Sequence, residues 1–286
     1  MAVLYLKGKN QRSPDLSIRD MARIRELFIR KKWPIQDSFD DNVFDKFCKM
    51  IAELDKEQGE LIIELTENFL WIQESEYSRL FSSVFNAFIQ SYEFPRGKKI
   101  YLCPLLPEED FGKTKSSVFL LYMVKAHLNA IRSKYPEFSI EYTDSPSKVN
   151  LESVKTDCTL CLIDDFIGTG ETVERATQYF LDRQITKDEM VILSLVGMNF
   201  GIESLKSKGY QMYTGVGRDK GITSNGSEEQ AEIMRRIEKK IGVSDDFQFG
   251  YGASEALVKM MRTPNNTFPI YWFQNKGKNK YAPFPR

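Results

Sequence analysis

The stretch Leu160-Cys161-Leu162-Ile163-Asp164-Asp165-Phe166-Ile167-Gly168-Thr169-Gly170-Glu171-Thr172 decides the fold. Its leading apolar residues lack polar alternation, which marks a strand covered on both faces of a parallel sheet. Two carboxylates stand at the carboxyl end of that strand, where open α/β sheets bind their ligands. A Gly/Thr loop follows and opens a helical pattern from Glu171 to about Arg183. Backbone amides and threonine hydroxyls at a helix N-terminus suit a phosphate dianion, which gains hydrogen bonds and a favourable dipole there. Gly168 and Gly170 let the backbone wrap closely around it. An acid pair followed by such a cradle fits a sugar phosphate whose hydroxyls meet Asp164 and Asp165.

Four apolar residues, two acids, three variable residues and T-G-x-T fill every defining position of the segment. In this it resembles the phosphoribosyl pyrophosphate (PRPP) motif of type I phosphoribosyltransferases. A strand end merely capped by acids would explain the Asp pair or the Thr-Gly alone, but not the whole string. The resemblance implies an α/β fold, a doubly wound parallel sheet of the type I phosphoribosyltransferase kind. It also implies a transferase acting on PRPP or a related ribosyl phosphate with Mg²⁺. Asp164 and Asp165 would hold the ribose hydroxyls directly or through the metal. The loop Phe166, Ile167, Gly168, Thr169, Gly170, Glu171 and Thr172 would anchor the 5′-phosphate. Departure of pyrophosphate leaves an oxocarbenium-like centre at C1, so most of the acceleration would come from positioning and charge neutralisation.

The rest of the chain agrees with a packed globule. It has 286 residues, enough for one large or two modest domains, and an aromatic share of 13%, which argues against disorder. Forty basic residues balance forty acidic ones, so no global field favours nucleic acid or membrane. No opening signal peptide and no membrane-length apolar run are visible, and cytoplasm is the expected location. Cys158 and Cys161 form a C-x-x-C, but no second cysteine pair or histidine cluster completes a zinc site, and residues three apart in a strand face opposite ways. Buried thiols in a reducing compartment are the simpler reading. His127, the single histidine, sits in an apolar helix pattern and reads as structural.

Three regions follow from the patterning. Residues 1–96 read as helical. Ser17 with Asp20 resembles a capping box before Ile18, Met21, Ile24, Leu27 and Phe28. Phe39, Val43, Phe44, Phe47, Ile51 and Leu54 continue at helical spacing, and Tyr77, Leu80, Phe81, Val84, Phe85, Phe88, Ile89 and Tyr92 form the strongest stripe. Residues 97–217 alternate strands and helices: strands at 99–106, 138–142, the motif strand, 190–197 and 210–216, with helices at 116–135, after the motif, and at 202–208. Residues 218–286 read as a C-terminal hood and tail.

Two loops of the α/β region carry candidate chemistry. Thr143 to Thr156 reads as a polar loop in the place of the family's mobile lid, with Lys148 joining the site on closure. The segment Pro107-Glu108-Glu109-Asp110-Phe111-Gly112-Lys113-Thr114-Lys115-Ser116-Ser117 occupies the place of the pyrophosphate loop, with Lys113, Lys115 and Ser116 as the candidates to hold the leaving group. Its three acids depart from a short glycine-rich loop and must bind Mg²⁺ or turn away. Gly112-Lys113-Thr114 also looks like the end of a Walker A loop. The leading glycine of that motif is replaced by Pro107, and acids stand where phosphates would lie, so a nucleotide triphosphatase is disfavoured.

In the hood, Gly250-Tyr251-Gly252 leads through a short helix to Thr263-Pro264-Asn265-Asn266-Thr267-Phe268-Pro269-Ile270-Tyr271-Trp272. Its prolines, asparagines and threonines make a fixed turn. This pattern resembles the phosphoribosyltransferase-like proteins encoded in bacterial conflict (antiphage) gene clusters, beside retron reverse transcriptases or nucleotide-second-messenger enzymes. That resemblance implies a defence effector or accessory subunit. Its partner would be a protein such as a reverse transcriptase with its nucleic acid, or a second copy of the chain, with no membrane. Trp272 is a candidate to stack on a nucleobase. The basic tail with Lys276, Lys278, Lys280, Tyr281 and Arg286 reads as a solvated terminus. Two rival functions are a catalytically inactive module that senses a nucleotide or docks a partner, and an N-glycosidic hydrolase of nucleotides.

Overall fold

The protein is described by a computed structural model covering residues 16–35, 42–275 and 277–286. Phe39 and Lys276 lie outside the described residues. The α/β core is a five-stranded sheet of β2 (Lys99–Pro104), β3 (Ser139–Tyr142), β4 (Cys158–Ile167), β5 (Met190–Met198) and β6 (Gln211–Arg218). Its order is β3-β2-β4-β5-β6 and every pairing is parallel. The uninterrupted apolar runs of β4 and β5 lie in the middle, buried on both faces, as such runs require.

Side-chain alternation sends Ile100, Leu102, Cys161, Ile163, Val191 and Leu193 to one face, under α4 (Glu74–Ser91) and α5 (Ser116–Lys134). Cys103, Leu160, Leu162 and Ile192 go to the other, under α6 (Leu151–Thr156), α7 (Glu171–Leu181) and α8 (Asn199–Ser207). The sheet is therefore doubly wound. The α4 stripe is what seals its first face: Phe81, Val84, Phe85 and Phe88 are all buried there. Each such side chain contributes roughly 1.5–3 kcal/mol by leaving water.

A third core joins the two ends of the chain. Ile24 and Phe28 of α1 (Ile18–Arg30), Phe47 and Ile51 of α2 (Val43–Ala52) and Ile62 of α3 (Lys56–Glu67) pack with Met234 and Ile237 of α9 (Glu228–Ile241) and with Phe268, Tyr271 and Phe284. Thr66 and Tyr271 share a buried hydroxyl–hydroxyl hydrogen bond of 2.9 Å. β1 (Leu70–Trp71) pairs in parallel with β7 (Val258–Lys259) and ties the same two ends together.

Several expectations change. The segment 143–156 is not a loop: it forms a short 3₁₀ turn at Pro146–Lys148 and then α6, capped by Asn150. Val149 and Val154 anchor it in the core, so it is held rather than free to swing. β4 runs on through Ile167, which places the acid pair inside the ladder rather than beyond it. Residues 218–286 contain a full helix, α9, with a Ser227–Gln230 capping box and a left-handed Gly242 at its end.

Candidate functional site

Asp164 and Asp165 are only 7% and 3% exposed. Carboxylates so placed need donors. Ser116 Oγ, from the start of α5, donates to Asp164 Oδ1 at 3.2 Å, and the Asp165 amide donates to the same oxygen at 2.9 Å. Tyr77 Oη, from α4, donates to Asp165 Oδ2 at 3.0 Å and itself accepts the Met261 amide at 2.8 Å. Burial pushes both carboxyls up, Asp164 furthest because its neighbour's charge adds to the effect. Asp165 is held back by the Ser116, Tyr77 and Asp164 hydrogen bonds. The pair can accept from a sugar diol.

The chain then enters the loop before α7. Gly170 is its N-cap, at φ +95, a left-handed conformation that a side chain would strain, and no side-chain cap closes the first turn. Only Thr169 Oγ1 approaches, accepting from the Glu171 amide at 3.4 Å. Uncapped first-turn amides beside hydroxyls are suited to an anion. Two acids in that turn would oppose it, but both are drawn aside: Glu171 accepts from Tyr251 Oη at 2.7 Å, and Glu174 is paired with Lys208. Thr172 is exposed and Thr169 half-buried. Phe166 and Ile167 pack into the cores on the two faces and offer backbone only.

The C-terminal region covers this loop. Gly252 faces the Thr169 methyl, and a Cβ at Gly168 would overlap the Asn266 side chain. Asn266 Nδ2 is fixed by Ser254 Oγ at 2.9 Å and by the Tyr251 carbonyl at 3.3 Å.

The lysines expected at the site are engaged elsewhere. Lys113 and Lys115 both pair with Asp110, at 2.9 and 3.0 Å, and Lys148 pairs with Asp144 at 2.9 Å. Glu108 and Glu109 turn onto Arg183 and Arg175, so the three acids are spent on cations. Ser117 donates to the Leu105 carbonyl at 3.1 Å and is buried. Trp272, expected as a stacking platform, is packed instead. It is buried, edge-on to Phe247 at 5.7 Å, with its indole N–H given to the Thr267 carbonyl at 2.7 Å.

Sequence reasoning missed Tyr77, Tyr251, Asn266 and Lys259. Tyr77 was visible only as the one hydroxyl opening an apolar stripe. Lys259 sits half-buried on β7, and its amine donates to the carbonyls of Met260 and, at 2.7 Å, Met261. Burial lowers its ammonium to about 8, with Asp165 pulling the other way.

Among the described residues no three His, Cys, Asp or Glu side chains converge on one point. Two adjacent carboxylates still fit Mg²⁺ in its common mode, where ligand phosphates and water complete the shell. All four cysteines are free thiols. Burial pushes Cys48 and Cys158 up to about 12, and raises Cys103 and Cys161 as well, which keeps them protonated. No helix among the described residues is long and apolar enough to cross a membrane.

A family profile with the description PRTase-CE matches residues 50–286. No curated protein sequence matches the chain. Among solved structures it is similar to orotate phosphoribosyltransferase from Aeropyrum pernix, with a TM-score of 0.31 and 16% identity over 51% of this chain and 72% of that one. It is also similar to hypoxanthine-guanine phosphoribosyltransferase from Schistosoma mansoni in complex with IMP, with a TM-score of 0.29 and 18% identity over 50% and 63% of the two chains. A hypothetical protein from Neisseria gonorrhoeae with bound ppGpp gives a TM-score of 0.29 and 10% identity over 52% and 83%. Scores this low carry no residue assignment across.

Proposed function

We propose, for a chain that belongs to the phosphoribosyltransferase-like PRTase-CE family, that its site binds the 5-phosphoribosyl part of PRPP or of a ribonucleotide. One observation carries the reading. The buried acid pair on the central strand runs, within one short loop, into the uncapped N-terminus of α7. Asp164 and Asp165 accept from the ribose hydroxyls, and the Gly168–Thr172 backbone with the Thr169 and Thr172 hydroxyls takes the phosphate. In turnover the C1–oxygen bond breaks, its electron pair leaves with pyrophosphate, and an acceptor bonds C1. Mg²⁺, when bound, supplies charge neutralisation on the diphosphate.

The Gly-Tyr-Gly and Pro-Asn-Asn-Thr strings support a place in a bacterial antiphage system, as effector or accessory subunit in the cytoplasm. A second reading, a nucleotide-sensing module without turnover, is favoured by the capture of Lys113, Lys115 and Lys148 in ion pairs.

Calorimetry with PRPP and ribose 5-phosphate, with and without Mg²⁺, tests the binding. Wild type should bind both, and Thr172→Ala should weaken both about tenfold, as expected for loss of a hydrogen bond to a charged group. Asp164→Asn with Asp165→Asn separates enzyme from module. It keeps shape and removes the carboxylate repulsion, so stability should hold or improve while pyrophosphate release and phage protection vanish. Protection that survives the double change sinks catalysis, and no binding of either probe by wild type sinks the site.

A further inference from the structure

Apart from Mg²⁺, the residues assigned so far bring no unpaired cationic side chain to the ligand. An acid pair faces the ligand's ribose, yet a ribosyl diphosphate carries several negative charges. Two like-charged groups in a poorly solvated site need a positive partner between them. The cations nearest in sequence to the core loops are already neutralised: Lys113 and Lys115 by Asp110, Lys148 by Asp144, Arg175 by Glu109 and Arg183 by Glu108.

Lys259 is different. It makes no ion pair within 4 Å among the described residues, and its amine rests on backbone carbonyls of the two residues that follow it. Those carbonyls leave part of the ammonium's three-donor capacity unspent. Its position is tied to the acid pair through a short relay: Met261, which accepts from Lys259 through its carbonyl, donates its amide to Tyr77 Oη, and Tyr77 donates to Asp165. The field of Asp165 reaches the amine although the two are beyond ion-pair distance. β7, which carries Lys259, is fixed in turn by its ladder with β1, where the Ile72 amide donates to the Lys259 carbonyl at 2.8 Å. An amine spent only on backbone carbonyls, and linked through Met261 and Tyr77 to Asp165, is placed to meet an anion that arrives beside the acid pair.

We propose that Lys259 is the residue that binds the diphosphate of the ligand whose ribose meets Asp164 and Asp165. The assignment rests on the ribosyl-phosphate reading of the site. Lys259 swings from its own backbone carbonyls to the diphosphate oxygens, and Tyr77 with Met261 acts as a positioning pair that keeps strand and acid in register. A bare counter-charge for the acid pair would serve the empty site equally well, and the two roles differ in which ligand feels the loss.

The experiment is isothermal calorimetry of the full chain with PRPP and with ribose 5-phosphate in Mg²⁺, for wild type, Lys259→Gln and Lys259→Arg. Lys259→Gln should weaken PRPP binding at least tenfold and change ribose 5-phosphate binding less than twofold, while Lys259→Arg recovers most of the PRPP affinity. Equal loss for both ligands, or no loss for either, overturns the assignment while the ribosyl-phosphate reading stands. Wild type that binds neither ligand overturns that reading and the assignment with it. If Lys259→Gln fails to fold, pyrophosphate competition answers instead. Pyrophosphate should displace PRPP from wild type at concentrations at least tenfold lower than from Lys259→Met, which keeps the length and bulk of the side chain without its charge, and equal displacement counts against the role.

Discussion

Asn266 occupies the space over Gly168 that any side chain there would need, and two hydrogen bonds hold it in place. The turn rich in proline and asparagine is thus a fitted cover of the loop before α7, about a hundred residues earlier in sequence. Gly168→Ala should cost roughly 1–3 kcal/mol in thermal or denaturant unfolding, because a buried, bonded side chain must give way. Affinity for ribose 5-phosphate should fall with it. An alanine variant as stable as wild type would show that the cover is loose.

Glu238 offers a pH test remote from the site. It is buried on α9, accepts among the described residues only the Phe249 amide, at 2.9 and 3.1 Å from its two oxygens, and burial pushes its carboxyl up to about 8. The folded chain therefore holds a proton that the unfolded chain releases. Stability contributed by the protonated form is complete below the unfolded value near 4.5 and is lost as pH rises toward 8. Glu238→Gln imitates the protonated acid. It should match wild type near pH 4.5 and exceed it above pH 8 by on the order of 1–3 kcal/mol in urea unfolding. Parallel pH profiles for the two proteins would refute this.

Trp272→Phe should separate packing from recognition. The indole N–H leaves the Thr267 carbonyl without its donor, so unfolding should become easier by about 1–2 kcal/mol. Ribose 5-phosphate and ribonucleotide affinities should stay within twofold. A tenfold loss for nucleotides alone would return the ring to the ligand.

The sheet was legible because its middle strands β4 and β5 are buried on both faces: the unbroken runs at 160–163 and 190–197 admit little else. The α4 stripe was legible for the matching reason, a 3.6-residue period of aromatics. α9 was not read, because its charged exterior, Arg235, Arg236, Lys239 and Lys240 among it, outweighs the Ile233, Met234, Ile237 and Ile241 face. Ser227, Gln230 and Gly242 did mark its ends. The loop at 143–156 was misread from its polar composition, when Val149 and Val154 are what fasten it. At the site, the acids and glycines were visible as a local string. Which lysine is free depends on where Asp110 and Asp144 point, and how Tyr77 meets Asp165 depends on a contact 88 residues apart. Local spacing does not encode such partners.

The core shared by the two ends of the chain has a consequence for biosynthesis. Tyr77 and Gly168 leave the ribosome long before Met261 and Asn266, the residues that brace them. Contacts of such long separation form late and slowly. A nascent chain that already displays the acid pair and the loop before α7 therefore lacks their cover. The braces arrive only with residues 261–266, so a chain stopped before them would hold neither Tyr77 nor Gly168 in the arrangement described.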